Sequence, residues 1–330
     1  MTPSPQPPPP ALAALRKLHL AVGFAKARTF FLWLVFAGGM LGFCLARLMY
    51  LDFAGVFCSS AQQQQHGANH AAPGECYWYT AVDVYRVGIR MHLGAVVPAG
   101  ALACVQFTPV VRRRMARVHR VNGYATLLLS LVGVAGAVMV APVAFGGHPS
   151  TRGLVGVLGV LFVGALALAY YYIRKKRIDQ HRAWMLRAWF YAGSIVTARF
   201  IMMAAAAIVS SGNGQGGFYE AKLCRQLASY LNSTRLLQEY PDCASLDAWV
   251  LVKADLHIQG PEHISAALDV TFGMSVWMAA AIHAIGVEFY LQLTPGETRR
   301  LREVSRQRQV EVGLEAASKT IVSDHGRDGV

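Results

Sequence analysis

The sequence predicts an all-α polytopic membrane protein, a transmembrane helical bundle of six spans with both termini in the cytoplasm. Three observations predict it: six apolar stretches of about twenty residues, basic residues gathered in every second connection, and cysteines paired within the two longest remaining connections. Composition agrees, with 54% hydrophobic residues, 15% charged residues and a mean hydropathy of +0.35. These values lie far from the soluble-globular average, so lipid rather than water is the main solvent. A net charge of +13 would suit a nucleic-acid binder if the basic residues alternated with aromatics on a soluble face. They cluster instead between apolar runs, so the expected partner is the lipid bilayer and nucleic acid is excluded.

Residues 1–28 read as a leader in two parts. The opening MTPSPQPPPP is proline-rich and should stay extended, because proline cannot donate to a helix ladder. Residues 11–28 carry Arg16, Lys17, His19, Lys26 and Arg28 among apolar positions and resemble a basic interfacial helix. The transmembrane domain covers 29–292. Its spans are 29–50, 89–110 with Pro98 at the middle, 124–145, 153–173, 183–209 and 266–292. Small residues in the third span (Gly133, Ala135, Gly136, Ala137) and the fourth (Gly156, Gly159, Gly164, Ala165) should permit close helix approach. Connections 51–88 and 210–265 form the large outer loops, and the Gly-rich run at 211–217 reads as a linker. Residues 293–330 are polar and read as a short helix followed by a loose tail.

Orientation follows from the basic residues. With the N-terminus inside, 21 of the 31 Lys and Arg fall in the leader, in 111–123, in 174–182 and in the tail. The alternate connections, counted as 51–90, 146–152 and 210–265, together hold seven, and Arg47, Arg187 and Arg199 lie within spans. Cysteine placement is independent of charge and agrees with it. Cys58 and Cys76 share one outer loop and Cys224 and Cys243 the other, which predicts one disulfide within each loop in an oxidising compartment. The sequon Asn232-Ser233-Thr234 lies in the same large loop and marks a candidate glycosylation site. A plasma or secretory-pathway membrane fits all three signs.

Ionisable groups inside a bilayer are costly unless paired or solvated, so each is a functional candidate. His119-Arg120 and His181-Arg182 follow basic clusters at the entrances to spans three and five, at equivalent depths. Haem b needs two ligands at matching depth, which makes His119 and His181 the candidate haem ligands; the competing reading is a pair of basic membrane anchors. On span five, His181 and Arg199 are eighteen residues apart, about five helical turns, and share a face with Trp184. Asp269 is the expected partner of Arg199, and Glu288 that of Arg187. His92 and Gln106 share a face of span two, and His283 lies inside span six. No CxxC pair occurs, and the one HxxxH spacing, His66 with His70, is a single pair without a further Cys or His at zinc-binding spacing.

Several of these residues form a pattern: His92, Gln106-Phe107, His119-Arg120 with Gly123-Tyr124, His181-Arg182 with Trp184-Met185 and Arg187, then Arg199 and Glu288-Phe289. Together they resemble a family of bacterial and fungal membrane proteins known as domain of unknown function 2306, over about 89–291, in a fungal-type member. The position after Gly123, often Arg in that family, is Tyr124 here. The resemblance implies an architecture and no activity. Three functions therefore stay open. The His119, His181, Arg187, Arg199 and Glu288 group could hold a redox cofactor or an amphipathic substrate such as a quinone. The same residues could line a proton-linked transporter, with Arg199 and Asp269 as gate and Glu288 as proton carrier. Or they hold together a scaffold without catalysis.

Overall fold

A computed structural model describes residues 10–59, 71–211 and 217–325. The glycine-rich run lies mostly outside them, as do the first nine residues of the leader. In chain order the helices are α1 (Pro10–Ala21), α2 (Ala27–Ala46, with a π-helical stretch at Leu34–Gly38), α3 (Glu75–Ala81), α4 (Asp83–Gln106), α5 (Pro109–Arg114) and α6 (Ala116–Val140). There follow α7 (Pro149–Arg174), α8 (Ile178–Ser210), α9 (Ser233–Glu239), α10 (Pro261–Gln292) and α11 (Pro295–His325). Six of them, α2, α4, α6, α7, α8 and α10, are long and apolar enough to cross a bilayer. At about 1.5 Å per residue, twenty residues already match a hydrocarbon core of about 30 Å. The 33 residues of α8 and the 32 of α10 exceed that, so turns at their ends stand outside it. The apolar stretches locate the spans, but the helices start earlier than hydropathy suggests. Asp83 and Arg86 open α4 as an ion pair one turn apart, and polar residues of this kind continue a helix without adding to its apolar signal.

The chain forms two compact units, one of residues up to 155 with 199–273, the other of 156–198 with 274–330. In the first, α4 and α6 pack with little between their backbones. A Cβ at Gly136 would fall 2.5 Å from the Gly88 carbonyl oxygen and 2.5 Å from the His92 nitrogen, so only glycine allows this approach. In the fourth span the expectation holds at Ala165, which is buried, and not at Gly156 and Gly164, which have nothing within 4 Å of an added Cβ.

The same unit contains the loop structures. Cys58–Cys76 and Cys224–Cys243 are both disulfide-bonded. The larger loop carries a two-stranded antiparallel sheet that hydropathy alone does not anticipate, β1 (Tyr219–Leu223) on β2 (Trp249–Lys253), with Glu220 opposite Val252 and Lys222 opposite Val250. Beneath it Cys224, Leu227, Val252, Ala266 and Ala267 are fully buried, and burial of Leu227 and Val252 contributes about 2 kcal/mol each.

In the second unit the C-terminal segment is one continuous helix, α11, and not the short helix and loose tail expected. Ser305 explains its docking. Its hydroxyl accepts the Ile178 and Asp179 backbone N–H groups at 2.9 and 3.3 Å and donates to Asp179 Oδ1 at 2.9 Å, capping the otherwise unsatisfied start of α8.

Candidate functional site

The candidate site is built around the turn that joins α6 to α7. Phe145, Gly146 and Gly147 take φ values of 47°, 75° and 60°, three left-handed residues in a row. For phenylalanine this conformation is strained, and its contacts show what holds it. The Phe145 N–H donates to Glu75 Oε1 at 2.6 Å. Its ring stacks on Phe272 at 4.1 Å, and the Arg199 guanidinium lies over both rings, at 4.8 and 5.5 Å. At Gly146 a Cβ would fall 2.8 Å from Glu220 Oε1, 2.9 Å from His148 Nε2 and 3.2 Å from Asp269 Cβ. Glycine is required there because three side chains converge on the backbone. Arg152 fastens the turn by donating to the Gly147 and Pro142 carbonyls at 2.6 and 3.1 Å.

The result is a concentration of buried charge. Glu75 is 7% exposed, with Tyr79 donating to its Oε2 at 3.2 Å. Burial pushes the Glu75 carboxyl up to about 7, and the Asp269 charge adds to the rise; the Phe145 N–H and Arg199 oppose it. The Tyr79 hydroxyl is held well above its ordinary range, first by burial and then by Glu75. Lys222 pairs with Asp269 and also donates to Ser265 Oγ at 2.8 Å. Both members of that pair are buried, and Asp269 Oδ1 has no partner among the described residues. His148 Nε2 lies 3.0 Å from Glu220 Oε2, and the hydrogen bond and charge of Glu220 raise the imidazole despite partial burial. A cleft of about 360 Å³ opens beside the cluster, with Trp78, Tyr85, Glu220, Lys222 and Gln226 in its wall. Three carboxyls, an imidazole, a phenol and two basic side chains next to a cleft make an arrangement suited to taking up and releasing protons.

Of the residues singled out by sequence, Arg199 and Asp269 both belong to this cluster, but not as the expected pair. Asp269 takes Lys222 as its partner, because β1 inserts that lysine into the unit's interior; Arg199 has no carboxylate within salt-bridge range among the described residues and sits on aromatic faces. The Arg187–Glu288 pair forms as expected and is bidentate, at 2.6 and 2.9 Å, with the guanidinium over Trp184 at 4.6 Å.

The other candidates tie helices together within their own unit. His92 Nδ1 meets the Gly133 carbonyl at 2.9 Å, and Gln106 Nε2 donates to the His119 carbonyl at 2.7 Å. His181 Nδ1 meets the Ala169 carbonyl at 2.9 Å, and His283 Nε2 meets Thr197 Oγ1 at 2.8 Å. Arg120 and Tyr124 are exposed on α6. Glu75, Tyr79, His148, Glu220 and Lys222 were not visible as a site, since all five lie in connections outside the apolar spans.

Residues 89–215 match the family described as predicted membrane protein DUF2306. Among curated proteins, the chain is 27% identical over 336 residues to "Ava biosynthesis cluster protein G" of Aspergillus versicolor, covering 86% of this chain and 94% of that protein. No solved structure matches.

Proposed function

We propose that this integral membrane protein couples proton exchange at Glu75 to the passage of a small solute through the bilayer. The observation that supports this is the Glu75 carboxyl: buried, held by the Phe145 N–H and Tyr79, facing the charge of Arg199, and titrating near neutral pH. A carboxyl with those properties changes charge in the physiological range at small cost, as a proton carrier must. Glu75 takes the role that sequence gave to Glu288, whose two oxygens are both engaged by Arg187. The relative named for a biosynthesis cluster supports a solute that is the intermediate or product of such a pathway. The basic residues and the disulfides support an orientation with both termini in the cytosol and the disulfide-bonded loops outside it, in a plasma or secretory-pathway membrane.

Proteoliposomes loaded with a pH-sensitive dye and offered a panel of small organic acids and amines test the proposal. Solute-dependent proton uptake should fall by about tenfold or more in Glu75→Gln. Equal uptake in wild type and variant would overturn it. A Soret band or a co-purifying quinone in the purified protein would instead favour the redox reading at His119 and His181.

A further inference from the structure

The larger loop contains a second cluster, apart from the proton site. We propose that Glu239, Glu262 and His263 form a binding site for a divalent cation of the zinc class, joining α9 to the first turn of α10. One donor atom from each of the three lies within 4.8 Å of the other two. Zinc bound at about 2.0–2.2 Å brings its ligands to within about 3.5 Å of one another, so closure needs side-chain movements of about 1 Å.

Two observations point to a ligand beyond the proximity of the acids. Glu262 is fully buried, and its Oε2 has no hydrogen-bond partner among the described residues. A buried carboxylate oxygen without a partner is costly, and native structures rarely retain one without a reason. His263 is oriented as metal-binding histidines are. Its Nδ1 meets the Lys253 carbonyl at 2.9 Å, which places an N–H on that nitrogen and turns Nε2 toward Glu262, 3.6 Å from Oε1.

Arg235 is the competing cation. It donates to Glu239 Oε1 at 2.8 Å, to Glu262 Oε1 at 2.5 Å and to the Gln259 carbonyl at 2.9 Å. One guanidinium faces two carboxyl groups, and the Glu262 oxygen that Arg235 does not reach is the unpartnered one. The mixed carboxylate and imidazole donors suit zinc better than calcium or magnesium, which prefer oxygen alone. No spacing motif announces the site, because 22 residues separate Glu239 from the Glu262-His263 pair.

The full-length protein, stripped with chelator and dialysed against zinc chloride, tests the assignment by metal analysis and by thermal unfolding with and without zinc. One zinc per chain and a raised melting temperature are expected for wild type. His263→Gln and Glu239→Gln should each weaken zinc binding by about tenfold or more, and Arg235→Gln should strengthen it by removing the competing charge. Melting in chelator alone reports whether each variant is folded, independently of zinc. Absence of zinc from both wild type and Arg235→Gln would overturn the proposal, as would equal retention by folded His263→Gln. Displacement of zinc by a hundredfold excess of calcium would overturn the metal class.

Discussion

The Phe145 backbone N–H points at the Glu75 carboxylate from 2.6 Å, across seventy positions of sequence. The left-handed turn exists to make that contact. A residue with φ of 47° costs of the order of 1–3 kcal/mol, and the bond to Glu75 together with the stacking on Phe272 offsets it. The carboxyl is thereby held in one position.

Glu75 should give stability a pH dependence of predictable sign. Its folded-state value of about 7 lies above the ordinary 4.5, so the folded protein retains a proton that the unfolded chain releases. The stabilisation is complete below about pH 4.5 and is lost as pH rises through 7, by roughly 3 kcal/mol in total. Glu75→Gln keeps an oxygen for the Phe145 N–H and removes the ionisation. Thermal unfolding of the purified protein between pH 5 and 8 should slope downward in wild type and flatten in the variant. His148, whose imidazole is also raised, adds a slope of the same sign that the variant retains; an unchanged total slope would show that Glu75 ionises as it does in water.

Lys222 and Asp269 are 2% and 3% exposed. Breaking a buried ion pair from one side leaves an uncompensated charge, so Lys222→Met should destabilise by about 3–5 kcal/mol. Replacing both partners removes that charge, and the double variant Lys222→Met, Asp269→Leu should recover most of the loss. Denaturation of the two variants side by side measures this, and a double variant no more stable than the single one would show that Asp269 is held by another cation.

The spans were legible because lipid demands long apolar runs, and the disulfides because each loop holds only two cysteines. The Arg187–Glu288 pair was legible because both residues sit on apolar helices where charge stands out. Lys222–Asp269 was hidden by an inversion in β1. Its buried positions are Glu220 and Lys222, while Tyr219 and Ala221 face outward. The alternation is present, but its polar face points inward, opposite to the usual pattern of a half-buried strand. The same inversion sent Arg199 to the wrong partner, since a lysine from a loop strand could not be foreseen between two spans.

The Cys224–Cys243 bond closes a loop over the sheet's core, and both cysteines are fully buried. For a separation of 19 residues the chain-entropy contribution is about 3 kcal/mol. The double variant Cys224→Ser, Cys243→Ser should lower stability by that order and expose the loop to proteolysis between Leu223 and Trp249. The corresponding Cys58→Ser, Cys76→Ser variant should leave that segment protected, because its disulfide belongs to the cluster of Phe57 and Tyr79. Limited proteolysis of both variants separates the two effects; equal cleavage would mean that the loops depend on each other for folding.

Asn232 offers the sharpest test of orientation. It is exposed and caps α9, its side-chain oxygen accepting the Arg235 backbone N–H at 2.8 Å. That contact is made by the oxygen and does not use the amide nitrogen, the atom that a glycan would modify. Expression in a eukaryotic secretory system should therefore give a glycosylated chain whose gel mobility shifts on enzymatic deglycosylation and in Asn232→Gln. Losing the cap should cost only about 1 kcal/mol, so the variant remains folded and its mobility is interpretable. A chain with no glycan at Asn232, together with labelling of a cysteine introduced beside His181 from outside intact cells, would place the disulfide loops in the cytosol and reverse the proposed orientation.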